Sequence, residues 1–280
     1  MKFRAKMNEA LSMKNLALIA SVINKQCKQC TLRLNSQNFT LMVTDENSSP
    51  KQVVIWCVLE ATKFFSEYFV EGISESNEIY LLVPPEMLSM SLNTLKATNN
   101  NAKSVKLKLA NKITPCLTVE IVLSTECGMN QNCVHDIPVK LISRQAWSDY
   151  GDPPPQDDCD VALEMKTFKK LKAVLEKFRK LSPWVALSVT SEGNLSSSVT
   201  SSTATVTTLF KNTVASYSSD DLRDKDHTVR TDVKKLCLLM STESLTPKRA
   251  MLYFAENRRI SFYLACDSFA FHFFIMGVEE

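Results

Sequence analysis

The chain has 280 residues, a length that suits two domains, and its 45% hydrophobic and 22% charged residues give each domain enough apolar content to bury a core. Only 5 glycines occur, and neither GxGxxG nor GxxxxGK(S/T) is present, which excludes the glycine-rich phosphate loops of nucleotide-driven chemistry. The net charge of +3 hides an uneven spread: residues 1–130 carry 14 basic and 11 acidic side chains, 131–160 carry 2 and 6, and 161–280 carry 17 and 13.

Taken in chain order, the pattern opens with an extended piece at 2–6 and an apolar-rich helical stretch at 9–25. Strand-type runs follow at 31–34, 39–43 and 53–59, the last reading V-V-I-W-C-V-L, and another at 79–83. Pro84-Pro85-Glu86 then starts a second helix that runs to about Lys96; a helix accommodates proline in its first turn, where the N–H groups have no partner in any case. Strands at 105–109 and 117–123 close the half. The second half repeats this order: an extended piece at 161–163, an amphipathic helix at 164–181, strands at 185–189, 195–200 and 204–210, and a helix from Asp232, its expected N-cap, to about 240. Strands at 250–254, 260–265 and 269–276 finish it. Two segments stand outside the repeat. Residues 131–160, ending in Gly151-Asp-Pro-Pro-Pro-Gln-Asp-Asp, are expected to lack regular structure and to link a domain of 1–130 to one of 161–280, while the Ser- and charge-rich stretch 211–230 is expected to be a long mobile loop.

The basic residues recur on the helices. In the 164–181 helix Met165, Phe168, Leu171, Val174, Leu175 and Phe178 gather on one side, and Lys166, Lys169, Lys170, Lys172, Lys177, Arg179 and Lys180 occupy most of the rest. In the first helix Lys14, Ser21, Lys25 and Lys28 fall within about 60° of one another. The second helix adds Lys96 and the fourth Lys234 and Lys235. On one helix such lysines need mean no more than a solvated face. Four helices without a matching acidic stripe predict a surface that attracts phosphates without regard to base sequence, and the lack of aromatic residues there favours a double-stranded backbone over stacked single-strand bases.

Motifs for chemistry are weak. Cys27-Lys-Gln-Cys30 is a CxxC, but it lies at the end of a helix with no second pair at zinc-finger spacing and no context for a thioredoxin-like fold, so two ordinary thiols are expected. Cys127, Cys133 and His135 assemble into a metal site only if the spacing is left free, and Asp157, Asp158 and Asp160 lack the EF-hand pattern. The 3 histidines, His135, His227 and His272, have no nucleophile motif beside them. No catalytic constellation and no cofactor are expected, which favours a binding protein. The 9 cysteines, without a secretory signal, read as reduced thiols of the nucleus or cytosol, and no apolar run is long enough for a membrane span.

In its two βαβ-rich halves, lysine-bearing helices and acidic linker the chain resembles the α+β DNA-clamp architecture. Several blocks are more specific: Met1-K-F-R-A-K6, Cys30-T-L-R-L34, Trp56-Cys57, Val70-E-G-I-S-E-S-N-E-I-Y-L81, Lys106-L-K-L with Asn111-Lys112, Pro115-C-L-T-V119, Val134-H-D-I-P-V-K140 and Trp147. In these the chain resembles the Hus-type subunit of the heterotrimeric DNA-damage checkpoint clamp, a relative of proliferating cell nuclear antigen. The second half matches more loosely, and the usual F-I-P-type tail reads Phe273-F-I-M-G-V here.

The resemblance implies a non-enzymatic subunit of a nuclear ring, also found in the cytoplasm, whose helices line a channel around duplex DNA. The twelve lysines named above would face the phosphates, foremost Lys25, Lys96, Lys172 and Lys235. Edge strands carrying Leu117, Val119, Ile121 and Leu123, and Ala204, Val206, Thr208 and Phe210, would pair with two other clamp subunits. His135, Ile137, Val139, Leu141 and Trp147 would cover the domain junction, where repair and checkpoint proteins dock, and an ATP-driven loader would place the ring on DNA. A homotrimeric replication clamp is the alternative within the fold; a thiol- or zinc-dependent enzyme using Cys27 and Cys30, or a β-rich protein-interaction module, lies outside it.

Overall fold

Two contact-dense units make up the chain, Met1–Gly151 with Asp267–Ala270, and Asp152–Cys266 with Phe271–Glu280. The computed structural model describes all residues except 46–51, 74, 98–101, 125–129, 157, 166–168, 212, 279 and 280.

Unit one contains β1 (Lys2–Met7), α1 (Ala10–Gln26), β2 (Cys30–Leu34), β3 (Asn38–Asp45), β4 (Gln52–Glu60), the single turn α2 (Ala61–Phe64), β5 (Glu67–Glu71), β6 (Ile79–Val83), α3 (Pro85–Ala97), β7 (Ala102–Asn111), β8 (Pro115–Ser124), β9 (Asn130–Pro138) and β10 (Lys140–Leu141). Alternation decides how the strands face: Phe3, Ala5 and Met7 of β1 are buried, while Lys2 and Arg4 point outward. On α1 the helical period buries Met13, Leu16, Ala17, Ala20 and Ile23 along one side. One sheet runs β5-β1-β7-β8-β9 and the other β10-β6-β2-β3-β4, with antiparallel pairing in both. The helices α1 and α3 pack together, with α1 against β7 and α3 against β9.

Unit two contains β11 (Val161–Glu164), α4 (Lys169–Phe178), β12 (Trp184–Val189), β13 (Leu195–Thr200), β14 (Thr205–Phe210), β15 (Val214–Tyr217), β16 (His227–Asp232), α5 (Val233–Leu239), β17 (Arg249–Ala255), β18 (Arg259–Ala265) and β19 (Phe269–Met276), the first two residues of β19 grouping with unit one. Its strands run β14-β13-β12-β16 and β19-β18-β17-β11-β15. Adding ten to a strand number of unit one gives its counterpart in unit two, so the internal repeat extends to the pairing order, with β10 the one addition among the described residues.

Four expectations are corrected. Residues 131–141 are not irregular: β9 pairs with β8 along its length, and the compact unit ends at Gly151 rather than at residue 130. The stretch 211–230 holds β15, a short 3-10 turn and most of β16, whose His227, Val229 and Thr231 are buried beside β12. The helix expected over 164–181 is confined to Lys169–Phe178 among the described residues, because Glu164 ends a strand paired with β15 and β17. Finally, β8 is an interior strand, which the candidate interface has to take into account.

Candidate nucleic-acid and subunit interfaces

The basic side chains start from the amphipathic packing of the helices. In unit one the buried side of α1 leaves Lys14 and Lys25 exposed, and Lys28 follows in the exposed turn past the helix. Lys96 lies in the last turn of α3. In unit two α4 and α5 pack against each other, burying Leu171, Leu175 and Phe178 on one and Val233, Leu236 and Leu239 on the other. That leaves Lys169, Lys170, Lys177, Lys180, Lys234 and Lys235 exposed and Lys172 half-buried. Arg179, absent from the expected set, is exposed at the end of the same helix, and Lys166 lies outside the described residues.

Two positions run against helix stability. Lys234 and Lys235 occupy the first turn of α5, where the helix dipole disfavours positive charge. Asp232 caps α5 by accepting from the backbone N–H groups of Lys234 and Lys235 at 2.6 and 3.4 Å.

Charges on the five-stranded sheet behave differently. Lys2 pairs with Glu71 at 3.0 Å, Arg4 and Lys6 share Glu67 at 2.9 and 3.2 Å, Lys106 lies 3.9 Å from Glu120, and Lys112 pairs with Asp136. Its partners hold Glu67 below its usual carboxylate range, hydrogen bonding to Arg4 and then Lys6 being the main causes, and hydrogen bonds from Lys112 and Thr118 do the same for Asp136. By contrast, the ammonium groups of Lys14, Lys25, Lys28, Lys170, Lys177, Lys180 and Lys234 meet no carboxylate within ion-pair reach among the described residues. Among the described residues, Lys2, Arg4, Lys6, Lys106 and Lys112 of the sheet thus reach carboxylates, whereas Lys108 of the same sheet and these seven lysines do not.

The candidate edges divide. Leu117, Val119, Ile121 and Leu123 are buried in β8, between β7 and β9, so they are core residues and cannot pair with another chain. The edge of that sheet is β9, which the sequence left in the linker. Its Cys133, His135 and Ile137 oppose Ile121, Val119 and Leu117 on the inner side, with Ile137 buried and His135 half-buried, while Val134 points outward. β14 is the end strand of its sheet, with Ala204 just before it. Val206, Thr208 and Phe210 stand opposite Val199, Ser197 and Leu195 and so share their core-side face, yet Val206 remains 39% exposed. No charge occurs in T-V-T-T-L-F, so this edge lacks the usual protection against pairing.

Of the expected docking residues, Val139 is buried and donates its N–H to Pro115 O, and Leu141 pairs with Leu81 while staying exposed. Trp147 stacks on Tyr80 at 4.6 Å and donates its indole N–H to Ile142 O. Tyr80 in turn donates to Glu78, which also accepts from Arg33. The Trp56 indole donates to Gly151 O at 2.9 Å. Residues 139–151 are therefore fastened to unit one at both ends. The sequence signalled Trp147 but not its anchors Tyr80, Arg33 and Glu78, since nothing local says that β6 receives β10.

Cys27 and Cys30, the CxxC pair, both lie among the described residues. Cys30 is buried with its thiol donating to Val83 O, and burial holds it well above the usual thiol range, which disfavours the thiolate that redox or metal chemistry requires. Cys27 is half-buried, and its thiol reaches Ile23 O. Cys127 and Asp157 lie outside the described residues; Asp158 pairs with Arg258, and Asp160 accepts from Glu256 N–H. No group of three potential metal ligands is assembled among the described residues, and no helix there is long and apolar enough to cross a membrane.

Comparison with known proteins places this geometry. Solved structures similar to the chain include proliferating cellular nuclear antigen from Entamoeba histolytica, with a TM-score of 0.71 at 12% identity over 99% of each chain. Another is the counterpart from Thermococcus kodakaraensis, at 0.70 and 13%, covering 98% and 99%. The fold is thus the clamp fold. In sequence the chain is 33% identical to human checkpoint protein HUS1 over the full length of both, and 32% identical to Drosophila melanogaster checkpoint protein Hus1-like over 75% and 76%. It is 25% identical to Schizosaccharomyces pombe checkpoint protein hus1 over 94% and 92%. With the Hus1-like protein model matching residues 1–279 as well, the chain belongs to the Hus1-like family of checkpoint clamp proteins.

Proposed function

We propose that the chain is a non-catalytic subunit of a nuclear heterotrimeric ring that encircles duplex DNA at damage sites and recruits checkpoint and repair factors. The observation that carries this reading is a split in charge: Lys14, Lys25, Lys28, Lys170, Lys177, Lys180 and Lys234 meet no carboxylate among the described residues, while Lys2, Arg4, Lys6, Lys106 and Lys112 of the sheet do. Unpaired lysines on packed helices suit a uniform line of phosphates, whose attraction needs no base contact. The uncharged end strand β14 and the end strand β9 suit pairing with two neighbours. Lys25, Lys172 and Lys235 are the foremost candidates for phosphate contact. Lys96 joins them by its place in α3. A loader would place the ring on DNA, and the 139–151 segment offers a firmly held surface for partners.

Co-purification of the tagged chain from its native source, with the intact mass of the assembly measured, tests the proposal. A complex of one copy each of this chain and two different clamp-like chains is the expected result. A homotrimer would replace the reading with a replication-type clamp, and a monomer that captures no clamp-like chain would overturn the ring.

A further inference from the structure

We infer that the outward face of the five-stranded sheet of unit one is a docking surface for an acidic peptide segment of a partner protein. The sheet register makes the argument. Lys6 of β1 stands directly opposite Lys106 of β7, and Arg4 opposite Lys108. Like charges at opposed positions destabilise an antiparallel pair, and any Thr or Gln there would remove the repulsion.

Neighbouring acids compensate only in part. Glu67 serves both Arg4 and Lys6, Glu120 lies at the edge of ion-pair reach from Lys106, and exposed Lys108 meets no carboxylate among the described residues. Four cations thus face two carboxylates in the middle of the sheet. Exposed apolar side chains flank them. Phe69, 54% exposed, lies opposite Arg4 on the end strand β5, and Val134, 55% exposed, lies opposite Glu120 on β9.

The resulting rows read Glu67, Lys6, Lys106, Glu120, Val134 and Phe69, Arg4, Lys108, Thr118, Asp136. Duplex DNA, anionic along its whole length, would meet Glu67, Glu120 and Asp136 as repulsive points. A peptide with carboxylates over the central cations and an apolar residue over Phe69 matches both features. The face is also opposite the one that α1 covers through β7, so it is distinct from the helix lysines assigned to DNA.

The test uses the full chain in its native assembly and a fluorescein-labelled peptide of repeated Glu-Glu-Phe units, with fluorescence anisotropy as the readout. Lys106→Glu/Lys108→Glu is expected to weaken peptide binding by about tenfold or more while leaving duplex affinity unchanged. Lys108→Gln, which adds no charge and breaks no ion pair, is expected to weaken it by about threefold, which keeps the test valid if the double variant misfolds. A double reversal of Lys177 and Lys180 to Glu should leave peptide binding intact. The inference is overturned if the unaltered protein does not bind the peptide, if the sheet variants bind it normally, or if they lose duplex DNA to the same extent. None of these outcomes touches the proposed ring.

Discussion

His272 of β19 sits half-buried beside the Tyr263 ring at 4.8 Å, with its Nδ1 buried and unpartnered. Burial pushes its pKa from an ordinary 6.5 down to about 4. The unfolded chain therefore takes up a proton that the fold refuses, so stability is complete above pH 6.5 and is lost as pH falls towards about 4. The loss attributable to this one group is about 2–3 kcal/mol, and His272→Phe should flatten the dependence when urea midpoints are compared across that range. Backbone geometry sets the limit at Gly72, between β5 and β6. A Cβ there would lie 2.5 Å from Glu78 O and 2.6 Å from Glu78 N, and the Gly72 N–H is held by Asn77 Oδ1. Both are backbone atoms rather than the end of a flexible side chain, so making room means moving the backbone, and Gly72→Ala should cost about 2 kcal/mol or more in the same measurement.

At the scale of elements, α5 depends on its cap: its seven residues carry two lysines in the first turn, and Asp232 is what offsets them. Asp232→Ala should cost about 1 kcal/mol in thermal or urea unfolding, whereas Asp232→Asn should recover most of it. β14 depends on its lack of charge, and Val206→Glu should abolish assembly with a neighbour in size-exclusion chromatography while leaving the monomer folded, because Val206 is at the rim of its sheet. These elements were legible to different degrees. The apolar spacing of α1 and α4 and the Pro84-Pro85 start of α3 are local signals, and the structure follows them to within a few residues except where α4 is shortened. β9 was not legible, since N-Q-N-C-V-H-D-I-P buries only Ile137 and its partner strand supplies the rest of its order. β16 was hidden for the opposite reason: it buries His227 and Thr231, polar residues that look like loop until their sheet is known. The interior place of β8 follows from β9 alone, so one missed strand moved a whole candidate interface.

At the scale of the molecule, the assembled protein should bind duplex DNA with an affinity that falls as salt rises. Lys177→Glu/Lys180→Glu should flatten the plot of log affinity against log salt by about 2, with no preference for base sequence before or after. This follows from exposed lysines without carboxylate partners, and a salt-independent affinity would contradict it. The repeated strand order has a different consequence. The end strand β9 has β19 as its counterpart in unit two, and β14 has β4 as its counterpart in unit one, so the two candidate edges are not copies of each other. A joint between β9 of one molecule and β14 of the next is head-to-tail and cannot be made by a two-fold axis. Such a joint leaves one unused edge at each end of any open string, and only closure removes both. Interfaces of this kind can also diverge one at a time, because changing one edge does not alter the other. A family of clamp chains could therefore fix a unique cyclic order of unlike neighbours while every member kept the same fold.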